Sequence, residues 1–220
     1  MITREITTIE EFYALLEQDE PLTNLAFHNM DLTEIADLLV RSNIRDSLFL
    51  GCKMRDAVVC SLQDSNYIFP RMNLPYEVYP NKLYHAADLY AGFDRHDPDS
   101  YTQTMDWRIY DHFISTGKYT TDLKESLGRA LHDQSMTNAM EDLIIHFDPK
   151  SIIAIMGGHQ LPRTSAQYWN IVWLSKMLTE RGKLMVSGGG PGAMEATHLG
   201  AWLAGMREKK VLQVLDILSR

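Results

Sequence analysis

Lys183-Leu184-Met185-Val186-Ser187-Gly188-Gly189-Gly190-Pro191-Gly192-Ala193-Met194-Glu195 is an apolar run that breaks into glycines and then resumes with helix-forming residues. Residues 183–186 have strand length, and a strand that passes through a glycine turn into a helix is the β–α join of a parallel sheet. Upstream, Ile152-Ile153-Ala154-Ile155-Met156 runs into Gly157-Gly158. Its unbroken apolar character predicts a strand buried on both faces. Between the two runs, Thr164 or Ser165 caps a helix with Ile171, Val172, Leu174 and Leu178 on its apolar side, ending at Arg181 and Gly182. Residues 193–204 and 211–218 predict two further helices. This order, with right-handed crossovers, is half of a doubly wound sheet. The fold class is therefore α/β, with a Rossmann-like parallel sheet segment over residues 149–220.

Residues 1–148 predict a mixed, largely helical region. A helix over residues 9–17 has Thr8 as N-cap and Glu11 at the capping-box position, and Pro21 stops it. Residues 32–41 predict a second helix, with Asp31 as cap and Glu34 three residues on. Residues 47–52 read as a strand, and residues 57–60 as either a strand or the start of a helix. Pro70, Pro75, Pro80 and Pro98 forbid a long helix over residues 66–99, although the tyrosines there predict packing. Residues 99–113 and 122–147 predict helices, the second broken by Asp148-Pro149. No internal repeat stands out. Two strands after residue 150 do not make a stable open sheet by themselves. Strands from residues 47–52 and their neighbours, another chain, or further residues of a longer protein are expected to complete it. Exposed edges favour a partner, so a homodimer or higher oligomer is expected.

Among the 220 residues, 21 are Lys or Arg and 29 are Asp or Glu, a net charge of −8, which argues against nucleic-acid binding. No apolar stretch approaches the roughly 20 residues that cross a bilayer, and residues 1–20 lack the apolar core of a signal peptide. The expectation is a cytoplasmic protein without a membrane role. Cys52 and Cys60 read as reduced thiols, although a bridge is possible by count. The eight histidines form no His-x-x-x-His or His-Glu-x-x-His pair, and His96-Asp97-Pro98-Asp99 reads as a turn, so neither metal nor cofactor is expected. No Gly-x-Ser-x-Gly elbow supports a serine hydrolase.

The chemistry concentrates in two loops. Glycines let the backbone turn tightly and approach a ligand. Pro191 suits a first helical turn, leaving the N–H groups of Gly192, Ala193 and Met194 at a positive helix end, where phosphate is the natural guest. The loop is neither a Rossmann Gly-x-Gly-x-x-Gly on the first strand nor a Walker loop. Its bland alternative is a turn that only allows close helix–sheet packing. Gly157-Gly158-His159-Gln160-Leu161-Pro162-Arg163-Thr164 leaves its strand at the same edge. Arg163 suits a bidentate phosphate contact or the ordinary surface, and His159 suits a base, ribose or phosphate contact. Tyr168 suits either a base or the core, and Glu195 a helix-dipole or a catalytic role.

Gly157-Gly158-His159, the helix with Tyr168, and residues 187–196 followed by Leu199-Gly200-Ala201 resemble the LOG family, once labelled lysine decarboxylase-like. The likeness is nearest to its nucleotide 5′-monophosphate nucleosidase branch, which the long N-terminal region also suggests. The resemblance implies a Rossmann-like, usually dimeric protein that hydrolyses the N-glycosidic bond of nucleoside monophosphates to free base and ribose 5-phosphate. It further implies that Gly189, Gly190, Gly192 and Ala193 contact the phosphoribosyl region; the two loops read by themselves add the Met194 amide and Gly157, Gly158 and His159 to the expected site. Arg163 is the catalytic candidate, anchoring phosphate while a carboxylate stabilises oxocarbenium character and positions water. The family's later Pro-Gly-Gly-x-Gly-Thr-x-x-Glu motif is missing, so relative to the family the segment is truncated and no residue is assigned as that carboxylate. The alternative expectation is non-catalytic binding of an ADP-ribose or NAD-type nucleotide. A third is a structural subunit with an empty turn.

Overall fold

Four short strands, β1 (Arg4–Ile6), β2 (Leu25–His28), β3 (Leu48–Leu50) and β4 (Tyr67–Phe69), lie side by side in chain order, every pair parallel. They come from a computed structural model that describes residues 3–18 and 20–219 and divides at 141/142 into two units. The fold is α/β, as the sequence predicts, but the first 141 residues carry a sheet of their own.

Helices α1 (Ile9–Leu16), α2 (Ala36–Arg41) and α3 (Asp56–Leu62) connect these strands in turn. Sequential order with right-handed crossovers puts all three on one face. Phe12 and Leu15 of α1, Leu39 of α2 and Val58 and Leu62 of α3 accordingly share one buried core with Ile6, Phe27 and Phe49. Ile6, Phe27, Phe49 and Ile68 are register partners across the sheet. The Phe27 and Phe49 rings stack with centroids 4.7 Å apart, and Phe12 meets Phe27 edge-on at 5.5 Å.

The capping box of α1 forms as expected: Glu11 N–H donates to Thr8 Oγ1 (3.2 Å) and Thr8 N–H to Glu11 Oε2 (3.2 Å). The helix expected over residues 32–41 is shorter. Asp31 bridges in parallel with Lys53 and the Leu32 amide donates to the Lys53 carbonyl at 2.9 Å, so these residues prolong the sheet before α2 begins. Residues 57–60, left open between strand and helix, lie inside α3. Strands β1, β2 and β4, each three or four residues long, went unread. Their starts at Arg4, Leu25, Leu48 and Tyr67 recur at intervals of about 20 residues, a β–α repeat that the sequence hides.

A short helix α4 (Ala86–Leu89), then α5 (Met105–Thr116) and the long α6 (Leu123–Ile144), complete this part of the chain. The second unit holds β5 (Ile152–Ile155), α7 (Ala166–Glu180), β6 (Leu184–Ser187), α8 (Ala193–Trp202) and α9 (Glu208–Leu218). Strands β5 and β6 pair in parallel as a separate two-stranded sheet. Residues 47–52 supply β3 of the other sheet, so they do not complete this one. Strand β5 is only half-buried and Met156 beyond it is 68% exposed, against the expected burial on both faces. Among the described residues β6 is its one hydrogen-bonded neighbour, so it does not sit as a central parallel strand flanked on both sides.

Ser165 caps α7, accepting from the Tyr168 amide at 3.1 Å. The helix closes with Gly182 N–H to the Thr179 carbonyl (2.9 Å) and Lys183 N–H to the Leu178 carbonyl (3.0 Å), the paired bonds of a Schellman end. Helices α7 and α8 cross tightly at Gly200, where any side chain would overlap the Val172 carbonyl. Val172, Ala196, Leu203, Val211 and Leu215 bury together around Tyr168. Among the described residues, no helix is long and apolar enough to cross a membrane.

Candidate functional site

Strands β5 and β6 end side by side, so the loops after Ile155 and Ser187 leave the same edge of the sheet. Open parallel sheets place ligands beyond such carboxyl ends. The Gly157-Gly158 turn and the glycine loop meet directly. The Gly158 carbonyl accepts from the Leu161 amide at 3.0 Å and from the Ala193 amide at 3.2 Å. The Ala193 N–H, expected to be free for phosphate, is therefore committed to the protein.

Helix α8 starts at Ala193, two residues later than Pro191 at its first position would require. Gly192 is the N-cap, with φ 73° and ψ −123°, a conformation closed to side-chain-bearing residues, so Pro191 stands outside the helix. The amides of Gly190, Gly192, Met194 and Glu195 make no well-formed hydrogen bond among the described residues. The Gly189 amide donates to Ser187 Oγ at 3.2 Å. The thioether of Met194 folds back toward Gly188 and Gly190. What remains at the head of α8 is a cluster of unpaired amides, that of the buried Gly192 among them, with Ala193 removed from the expected set.

Arg163 reaches this place, but it is engaged. Its Nη2 lies 2.8 Å from Glu195 Oε1, the Arg side chain 51% and the Glu side chain 29% exposed. The hydrogen bond and the charge of Glu195 raise the Arg163 pKa above its ordinary value. Tyr168, one turn into α7, is wholly buried, which excludes stacking on a base and assigns it to the core. Its hydroxyl has no hydrogen-bond partner among the described residues. Burial and then the Glu195 charge push its pKa up to about 12. His159 is exposed at the tip of the first loop. The geometry thus joins Gly158 to Ala193 and Arg163 to Glu195, while among the described residues no hydrogen bond or ion pair links His159 to the glycine loop.

Two groupings escaped the sequence. Ser187 Oγ and His198 Nε2 lie 2.6 Å apart, tying the end of β6 to the second turn of α8. In the N-terminal unit, Glu125 of α6, with a side chain only 2% exposed, meets His112 Nε2 of α5 at 2.9 Å and Arg129 Nε at 2.6 Å. The i,i+4 spacing of Glu125 and Arg129 was legible, but nothing in the sequence marked the pair as buried. Among the described residues no group of three or more His, Cys, Asp or Glu is placed to hold a metal ion. No protein-family model, no curated protein and no solved structure matches this chain.

Proposed function

We propose that the glycine-loop edge of the second unit binds a nucleoside 5′-monophosphate and hydrolyses its N-glycosidic bond to free base and ribose 5-phosphate. The observation that carries the reading is the set of unpaired amides at Gly190, Gly192, Met194 and Glu195 beside the Arg163 guanidinium. Amide donors, a helix N-terminus and a planar cation together complement a phosphate dianion. The likeness of residues 187–196 to the LOG family supports the same substrate class.

Glu195 gives the reading its mechanism. While it holds Arg163, the two charges neutralise each other. An arriving phosphate competes for the guanidinium, and the freed carboxylate stabilises positive charge at the anomeric carbon and orients water towards it. Phosphate capture and release of the carboxylate are then one event. The second reading, binding without turnover, is favoured by the same ion pair, because a Glu195 that stays on Arg163 does no chemistry.

The test is to incubate the protein with AMP, GMP, CMP and UMP, follow released base by chromatography, and measure binding by calorimetry. Released base supports the hydrolase. Heat without release selects the binding protein. Neither heat nor release removes nucleotides altogether.

A further inference from the structure

Strand β6 ends on Ser187, and the second turn of α8 returns His198 to it, with Ser187 Oγ and His198 Nε2 2.6 Å apart. That distance assigns the proton. An N–H donor stands about 2.7–3.2 Å from its acceptor, whereas a hydroxyl approaches to about 2.5–3.0 Å. The Ser187 hydroxyl therefore donates to the lone pair of His198 Nε2. Its other neighbouring acceptor, the Met194 carbonyl, is 3.4 Å away and does not compete. A serine whose proton already rests against an imidazole lone pair is the arrangement of a nucleophile with its base.

The surroundings suit attack on a carbonyl. Of the two lone pairs on Ser187 Oγ, one accepts the Gly189 amide at 3.2 Å, and among the described residues the other meets no donor. The Gly189 N–H also stabilises the oxygen as it gains negative charge. His198, Gly188 and Gly189 are exposed, so the dyad is open to solvent. The amide of Gly188, the residue next to Ser187, makes no hydrogen bond among the described residues and can receive a carbonyl oxygen. An apolar flank lies beside it: Met194 Sδ and Met156 Cε are 3.2 and 3.4 Å from where a Cβ on Gly188 would stand.

We propose that Ser187 and His198 are a catalytic dyad that hydrolyses short-chain carboxylic esters, with the acyl chain against Met156 and Met194. Ser187 Oγ bonds to the carbonyl carbon as His198 Nε2 takes its proton, and the carbonyl oxygen holds the charge beside the Gly188 amide. The bond to the alcohol oxygen then breaks, His198 returns the proton to that oxygen, and the acyl group stays on Ser187. Water repeats the sequence: it gives a proton to His198, its oxygen bonds to the acyl carbon, and the acyl–Oγ bond breaks as the proton returns to Oγ. Ester and water become acid and alcohol, with no further reactant. This inference does not depend on nucleotide chemistry at the neighbouring amides.

The experiment uses the full chain at pH 7.5 with p-nitrophenyl acetate and p-nitrophenyl butyrate, and a fluorophosphonate probe located by peptide mass spectrometry. Both esters should release nitrophenolate, and the probe should label Ser187. Ser187→Ala should lose the label and about a hundredfold or more of the rate, and His198→Gln about a hundredfold. Ser187→Cys, which keeps a nucleophile if alanine disturbs the glycine turn, should accumulate an acylated thiol. His146→Gln, an exposed histidine elsewhere, should leave the rate unchanged. Undiminished hydrolysis by Ser187→Ala, the probe on another residue, or neither label nor release by the folded wild type would each overturn the proposal. A failed AMP assay changes none of these readouts, so the two readings fall separately.

Discussion

The carbonyl of Gly158 occupies the space where a Cβ on Gly192 would project, and the same carbonyl receives the Ala193 amide. Two glycines from different loops thus lock together at the head of α8. Gly189 shares a φ of 73° with Gly192, yet nothing lies within 4 Å of its would-be Cβ. The pair separates backbone strain from collision. Gly189→Ala should lose about 1 kcal/mol, the cost of a left-handed alanine. Gly192→Ala, strained and colliding with backbone, should lose about 3 kcal/mol or more. Urea unfolding of the two variants checks the ordering, and equal losses would show that the contact is not tight.

The Arg163–Glu195 pair makes a prediction about affinity with opposite signs. Arg163→Ala should weaken AMP binding by at least about tenfold, since one charge-assisted contact is removed. Glu195→Gln should tighten binding by about fivefold, because the guanidinium no longer has a resident carboxylate, and should abolish base release. With the Arg side chain half exposed, stability should change by less than about 1 kcal/mol in either variant. Calorimetry with AMP decides: weaker binding by Glu195→Gln would mean that the carboxylate assists the ligand rather than competing with it.

How much of this was legible follows from element length and from what each signal reports. The capping box at Thr8 and Glu11, the Ser165 cap and the Gly182 end were readable because each depends on residues a few positions apart. The second unit was readable because an apolar run and a glycine turn are local too. Strands β1, β2 and β4 were not, since what holds them is pairing with neighbours some 20 residues away rather than any local signal. The site was half legible. Its glycines announced a close approach, but sequence cannot say whether the approaching group is a ligand or another loop, and at Ala193 it is the Gly158 carbonyl. Arg163 was found and its Glu195 partner was not, because their meeting requires β5 and β6 to bring the two loops together.

Glu125 links the buried charge cluster of the first unit to acid stability. Burial alone would raise its pKa, but hydrogen bonds from His112 and Arg129 outweigh that and hold it below the ordinary 4.5. A carboxylate with a lowered folded pKa contributes stability above its unfolded value and loses it as pH falls through the folded value. The wild type should therefore lose stability below about pH 4.5 more steeply than Glu125→Gln. At neutral pH the variant should be weaker by about 3 kcal/mol, since it leaves the Arg129 guanidinium without its buried counter-charge. Denaturant titrations at several pH values check both parts, and parallel acid profiles would show that Glu125 does not control this transition.

Tyr168 offers the sharpest contrast between a residue kept for packing and one kept for a ligand. Its ring is wholly buried in the α7–α8 core, yet among the described residues its hydroxyl has no hydrogen-bond partner, and burial and the nearby Glu195 charge both disfavour its ionisation. A buried hydroxyl without a hydrogen bond costs about 1–3 kcal/mol, whereas the ring itself is worth more than that in buried area. Tyr168→Phe should therefore be neutral or stabilising by about 1 kcal/mol in the free protein. If a bound nucleotide draws Glu195 off Arg163, the hydroxyl gains a partner within reach, and the same variant should bind AMP less tightly by about threefold. Thermal unfolding with and without AMP separates the two roles: a stabilised free protein with a smaller ligand-induced shift in Tm supports the coupled arrangement. A destabilised free protein would mean that the hydroxyl already has a solvent-borne partner.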